Sequence, residues 1–286
     1  DEMSVDKMGN LIARKKGKGQ KIILASHMDE IGLMVQRIST HGHIKVRQVG
    51  YMENITLAGQ PVAIVKSINN KIISYGIITF KELHEDEQID GIPSTNDLYV
   101  DTGLTPAQLK KLDISVGDYI VPLHRATYLG NKNIISGKAL DDRVGCYTLM
   151  EVAKKLRNSP FDVYFIFTVQ EEIGLYGAKT SVYNLDADWA IAVDATGCPD
   201  SEFNDILGAG PRLAIKDAEI ITDPHLNNAI RQIAKKNKIP LQLEVSDLGT
   251  TDATSLMFSK GGLPSAIIGI PVRNLHSTVS IAHMHD

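Results

Sequence analysis

Apolar and polar positions along the chain fall into three textures. Residues 10–13 and 21–25 are short strand-like runs joined by Arg14-Lys15-Lys16-Gly17-Lys18-Gly19. The first segment therefore reads as a hairpin closed by a solvated basic turn. From about residue 38 to 130, short alternating runs follow one another at 43–49, 61–68, 71–79, 98–101 and 118–123. Asn69-Asn70 marks a tight turn between the second and third of these. Thr105, as N-cap, and Pro106, at the first helical position, open one short helix over 105–112. Many short strands with few helices predict a small β-barrel or sandwich.

After residue 130 the pattern becomes strand–helix alternation. Residues 163–169, 190–193 and 266–270 are nearly continuous apolar runs, which suits strands covered on both faces. Cys146, Leu149, Met150, Ala153 and Leu156 share one helical face. Leu226, Ala229, Ile230, Ile233 and Ala234 share another, on a helix started by Pro224. Residues 22–25 have the same apolar character and should join this sheet. The prediction is a discontinuous α/β domain over 1–37 and 131–286, interrupted by a β-rich insertion over 38–130.

Composition narrows the function classes. Of 286 residues, 43% are apolar and 22% charged, and 30 Lys plus Arg against 34 Asp plus Glu give a formal net charge of -4. Such a surface gives no reason to expect nucleic acid or an anionic membrane as partner. No window reaches the roughly 18 apolar residues of a membrane span. Two cysteines, Cys146 and Cys198, cannot build a disulfide scaffold, and no secretory leader is visible; a cytoplasmic location is expected.

The chemistry-bearing residues follow the predicted strands or begin helices. Ser26-His27-Met28-Asp29-Glu30 follows the run at 22–25, Gln170-Glu171-Glu172-Ile173-Gly174 follows 163–169, and Asp194 closes 190–193. Asn274-Leu275-His276-Ser277 follows the run ending at Ile270, and Asp141-Asp142-Arg143 opens the helix bearing Cys146. In an open α/β sheet, ligands bind outside the carboxyl ends of the strands, so these segments converge. Each alone has a plainer explanation. His27 or His276 could be a hydrogen-bonded structural histidine, Asp141-Asp142 a helix cap, Glu171-Glu172 a solvated turn, and Asp194 a loop cap. Together they put like charges side by side, which raises carboxyl pKa values and costs stability unless cations compensate. Arg143 and Arg273 are the only bases nearby in sequence. Two divalent ions would offset Asp141, Glu172 and Asp194, with a bound hydroxide completing neutrality. His27 and His276 supply imidazoles, a set suited to zinc and also to cobalt or manganese. Asp29 could orient His27 from behind.

In order along the chain, His27-Met28-Asp29-Glu30-Ile31-Gly32, Ala139-Leu140-Asp141-Asp142-Arg143, Val169-Gln170-Glu171-Glu172-Ile173-Gly174, Val193-Asp194 and Leu275-His276-Ser277 resemble the motifs of the TET-type metalloaminopeptidases. That family includes glutamyl and deblocking aminopeptidases, and some relatives have carried endoglucanase labels. The resemblance implies a phosphorylase/hydrolase-like mixed-sheet α/β zinc peptidase domain with an inserted β-barrel-like dimerisation domain. It implies short peptides as substrates, and homodimers assembling into a hollow dodecamer. It also implies two metal sites per subunit, with His27 and Glu172 on opposite sites, Asp194 and His276 adding one ligand to each, and Asp141 bridging. Glu171 would be the general base, Asp29 the partner of His27, and the Asp141–Asp142 peptide cis.

Some features depart from the family pattern. Thr250, in Gly249-Thr250-Thr251-Asp252-Ala253, stands where a glycine is usual, next to the expected substrate pocket. Lys81-Glu82-Leu83-His84 replaces a proline-containing stretch, so His84 reads as an exposed loop histidine before a counterpart of the family's. His283 and His285 have ligand-like spacing but read as a solvated tail. Neither the usual N-terminal helical segment nor the usual C-terminal helix is visible, so the natural chain is expected to extend beyond both ends.

Three other readings compete. A dinuclear deacylase or carboxypeptidase would use the same metals, and Arg273, near His276, could bind a carboxylate there, although a structural salt bridge is its plainer reading. A glycosidase needs two carboxylates straddling the scissile bond at roughly 5–9.5 Å, which adjacent Glu171 and Glu172 do not naturally provide. A serine hydrolase lacks its Gly-x-Ser-x-Gly elbow, and Cys146 lies on an apolar helix face, as a core residue does.

Overall fold

A computed structural model describes residues 2–80, 91–199 and 206–286. The stretch containing His84 lies outside the described residues. The chain divides into two compact units, one of Asp1–Glu30, Thr127–Leu275 and Ser280–Asp286, the other of Ile31–Ala126 and His276–Val279.

The first unit begins with β1 (Glu2–Val5), β2 (Leu11–Lys15) and β3 (Lys21–His27). The predicted hairpin between the two basic-flanked strands does not form. β2 and β3 are not neighbours, because a later strand enters between them. The connector is shaped for that strand. Lys18 and Gly19 donate their backbone N–H groups to the Pro160 carbonyl, and a Cβ at Gly17 would overlap the Phe161 carbonyl.

The second unit contains β4 (Gly32–Ile38), β5 (Ile44–Val49), β6 (Pro61–Val65), β7 (Ile72–Thr79), β8 (Tyr99–Asp101), α1 (Pro106–Lys111) and β9 (Tyr119–Pro122). The strands close a six-strand barrel in the order β4-β5-β8-β7-β6-β9. Alternate positions Leu33, Val35, Ile44, Val46, Val62, Ile64, Val100 and Ile120 fill its core, the period-two signature of strands with one buried face. Thr105 caps α1 in a reciprocal capping box with Gln108. Asn70 turns the β6–β7 connection at φ 56°.

The first unit resumes with β10 (Thr127–Leu129), β11 (Asn131–Gly137), α2 (Leu140–Lys155), β12 (Asp162–Thr168), α3 (Tyr176–Ser181) and β13 (Trp189–Gly197). It continues through β14 (Arg212–Lys216), α4 (Pro224–Asn237), β15 (Gln242–Val245), α5 (Asp252–Leu256), β16 (Ser265–Arg273) and β17 (Ser280–His283). These make one mixed sheet in the order β1-β2-β12-β3-β13-β16-β17-β11-β10, with β14 bridging β15 and β16. The central strands β12, β3, β13 and β16 are parallel to one another. Their apolar runs serve two cores at once. Ile22 and Phe165 pack on the α2 side with Cys146 and Leu149, while Ile23 and Ile166 pack on the other with Ala178, Val182 and Leu256. That two-sided burial is why the runs are continuous rather than alternating.

The α4 face is only partly used as expected. Ala234 is buried, but Ile233 is 58% exposed, and buried Asn227 occupies the interior by donating to Thr222 Oγ1 at 2.8 Å. No helix among the described residues is long and apolar enough to cross a membrane.

Candidate metal centre and active site

Parallel order puts the carboxyl ends of β12, β3 and β13 side by side. Thr168 pairs with His27 in register, so the Glu171-Glu172 loop leaves β12 beside the end of β3. His27 is 2% exposed. Its Nε2 lies 3.0 Å from Asp141 Oδ1 and 3.5 Å from Asp194 Oδ1. Its Nδ1 faces Asp29, 3.2 Å from the backbone oxygen and 3.6 Å from Oδ1. Asp29 is thus placed to hold a proton on Nδ1, and Nε2 is the nitrogen that faces the carboxylates.

Asp29 does a second job. Its Oδ1 accepts the Glu171 N–H at 3.1 Å and its Oδ2 the Glu172 N–H at 3.3 Å. Burial acts to raise the Asp29 carboxyl, but His27 and these two N–H groups hold it below its ordinary value. Gln170 and Leu175, on either side of the glutamates, both take left-handed backbone at φ 58°.

Among the described residues, two overlapping groups offer ligand atoms within 4.8 Å of one another: His27, Asp141 and Glu172, and His27, Asp142 and Asp194. The structure thus brings together His27, Asp141, Glu172 and Asp194. Neither group includes His276, which lies in the short stretch that belongs to the barrel unit. There its carbonyl accepts the Glu53 N–H at 2.9 Å, and its ring lies 5.8 Å from that of Tyr51. Asn274 and His276 are left-handed, at φ 55° and 57°. The Asp141–Asp142 peptide is cis.

Sequence reasoning passed over two buried carboxyls here. Asp142 is fully buried. It accepts the Ser26 hydroxyl and, at 3.0 Å, the Gly145 N–H, so it caps the helical turns that follow the non-helical Asp141–Asp142 step inside α2. Asp252, read only as part of a loop, is buried at the start of α5, accepts the Thr168 hydroxyl at 2.5 Å, and has no partner for Oδ1. The signal for Asp252 was the Thr251-Asp252 pair opening a helix, which by itself reads as a cap.

The electrostatics follow from crowding. Burial first, then the charge of Asp194, pushes the Glu171 carboxyl far above its ordinary value. Burial and then Asp141 raise Glu172. Burial lifts Asp252 to about 7 and raises Asp142 and Asp194 as well. Burial opposes the His27 charge, yet Asp194 and Asp141 lift its pKa well above 6.5. Lys138, three residues before Asp141, joins Arg143 among the nearby bases, and both are engaged elsewhere. Arg143 Nε donates to the Met28 carbonyl at 2.9 Å, and Lys138 Nζ holds Glu30 at 2.5 Å. A buried imidazole Nε2 ringed by carboxylate oxygens, with its other nitrogen fixed by Asp29, is a donor set that fits divalent zinc-like cations.

Comparison with known proteins gives the class. The profile of the M42 glutamyl aminopeptidase family matches residues 9–286. A lysyl aminopeptidase of Pyrococcus furiosus is 32% identical over 295 residues, covering 100% of this chain and 83% of the relative. The structure of an aminopeptidase from the archaeon Desulfurococcus kamchatkensis superposes with a TM-score of 0.93 at 35% identity, over 100% of this chain and 81% of that one. A TET peptidase of Pyrococcus horikoshii, described as assembling into a tetrahedron or a large octahedral shell, gives 0.89 at 31% identity, over 100% and 85%. Fold, acidic cluster and relatives together define a peptide hydrolase of the aminopeptidase class. The chain belongs to the M42 glutamyl aminopeptidase family, and the TET-type resemblance carried by its five motifs is borne out.

Proposed function

We propose that this aminopeptidase works with two divalent metal ions, zinc first, with cobalt or manganese as alternatives, held by His27, Asp141, Glu172, Asp194 and His276. The observation that carries the reading is the buried His27, its Nε2 set among Asp141, Asp194 and Glu172. Asp142 already accepts from Ser26 and Gly145 through its two oxygens, which favours Asp141 as the carboxylate that would serve both ions. Bound there, divalent ions lower the pKa of a coordinated water and polarise a carbonyl.

Glu171 acts as general base. It takes a proton from the attacking water and returns it to the departing amine. Asp29 keeps the His27 tautomer and holds the Glu171 and Glu172 backbone in place. Short peptides with a free N-terminus are the substrates, the α-amino group being recognised at the acidic cluster. The TET-type resemblance gives homodimers formed through the barrel unit and assembling into a dodecamer, and the similar PhTET1-12s structure is described as a dodecamer. Two buried cysteines, Cys146 and Cys198, accord with a cytoplasmic setting.

The test is hydrolysis of a panel of aminoacyl-p-nitroanilides by chelator-stripped enzyme, reloaded in turn with zinc, cobalt and manganese. N-acetylated peptides are run beside free ones. Metal-restored cleavage of the free N-terminus alone supports the reading. Chelator-resistant hydrolysis, or cleavage of the blocked peptide alone, contradicts it.

A further inference from the structure

The loop bearing Glu171 and Glu172 is gripped from two sides, and only Asp29 belongs to the machinery already described. β12 lies between β2 and β3 in the sheet. β3 runs parallel to β12, so the residues after β3 lie at the outgoing end of β12; Asp29 is one of them. β2 runs antiparallel to β12, so the residue before β2 lies at that same end; it is Asn10. Asn10 is completely buried. Its Oδ1 accepts the Val169 N–H at 3.0 Å, and its Nδ2 donates to the Gly177 carbonyl at 3.0 Å and to Asp6 Oδ2 at 2.7 Å.

Val169 opens the loop, and Gly177 sits in the first turn of α3, where the chain leaves it. One carboxamide thus closes it like a clasp. Val169 N–H can only donate and the Gly177 carbonyl can only accept, so the orientation of the amide is fixed. Asp6 sets the clasp in turn, since its Oδ1 accepts the N–H groups of Met8, Gly9 and Asn10 at 2.9–3.0 Å. A Cβ at Gly177 would overlap Asn10 Oδ1 and the Val169 carbonyl, so the exit must be glycine for the clasp to close.

We infer that Asn10 is a positioning residue for catalysis: by pinning Val169 and Gly177 it fixes where Glu171 and Glu172 stand. This rests on the role given to Glu171 above. Among the common side chains, Asn alone supplies an acceptor and two donors at this length. Aspartate keeps the shape but turns an oxygen toward the Gly177 carbonyl and a charge toward Asp6.

The test compares Asn10→Asp with the swap Asp6→Asn/Asn10→Asp, which returns a donor to the 6–10 pair but none to Gly177. Each is assayed as full-length, metal-loaded enzyme at a temperature where circular dichroism shows it folded. Asn10→Asp is expected to lower kcat at least tenfold with KM within about threefold. The swap is expected to regain melting temperature without regaining kcat. Recovery of kcat together with melting temperature would overturn the inference, because Asn10 would then only anchor the N-terminal turn. Near-normal kcat in Asn10→Asp, or loss of fold in both variants, overturns it too. Glu171→Gln run alongside keeps the two readings apart: near-normal kcat in that variant refutes the role of Glu171, whatever Asn10 does.

Discussion

Truncating Asp29 to alanine removes the group that holds the Glu171 and Glu172 backbone from the β3 side. Two N–H donors lose a carboxylate acceptor, at 3.1 and 3.3 Å, and His27 Nδ1 loses an oxygen at 3.6 Å. A hydrogen bond to a charged group contributes about 1.5–3 kcal/mol. Both bonds are long and Asp29 is 24% exposed, so water replaces part of each. The pair is then worth roughly 1.5–3 kcal/mol in loop placement, by the lower end of that range. At about 1.4 kcal/mol per tenfold, Asp29→Ala should lower kcat by roughly ten- to a hundredfold. Asp29→Asn, which keeps one acceptor oxygen, should fall between the two. The assay is steady-state kinetics on an aminoacyl-p-nitroanilide with metal content measured on the same sample. A kcat for Asp29→Ala within twofold of the parent, with metal content unchanged, would refute the claim that Asp29 organises the loop.

Other consequences follow from the same structure. Arg14 grips Asp162 through Nε at 2.8 Å and Nη2 at 2.7 Å and holds its carboxyl below the ordinary 3.8. Between those two pKa values the unfolded chain binds the extra proton, so stability is present above 3.8 and lost as pH falls through the lowered value. Urea melts from pH 2 to 7 should show that acid limb flattened in Asp162→Asn; an unchanged limb would count against the pair. Gly145→Ala would drive a Cβ to 2.5 Å from Asp142 Oδ1 and 2.7 Å from Ser26 Oγ, both fixed by their own bonds. Its melting temperature and its metal content should both drop, and a stable variant with full metal content would be contrary. Metal ions that bind only the folded state stabilise it by about 2.7 kcal/mol at a hundredfold excess over Kd. Differential scanning fluorimetry should therefore show melting temperature rising with added zinc in the parent and scarcely at all in His27→Ala.

Much of this was legible in the residues, and what was not has physical causes. The continuous runs of β12, β13 and β16 announced strands buried on both faces, because periodicity reports burial directly. The false hairpin of β2 and β3 came from adjacency in sequence. Nothing local in Lys16–Gly19's neighbourhood shows that Pro160 and Phe161 will pass beside it, although the glycines there answer to that approach. Spacing after strands brought out His27, Glu171, Glu172 and Asp194. Asp142 and Asp252 were hidden because a buried acid at a helix start has the same local sequence as a solvated cap. Asn10 was hidden for a further reason: its partners Val169 and Gly177 are about 160 residues away, and only the antiparallel order of β2 and β12 brings them to it.

The cluster is to hold metal and Glu171 is to move the proton. Glu171→Gln tests both in one sample, by metal stoichiometry and kcat after loading with zinc. A positioned general base contributes roughly 10²–10⁴ in rate. Parental metal content with kcat reduced by about that factor is expected. Parental metal content with near-parental kcat would contradict it.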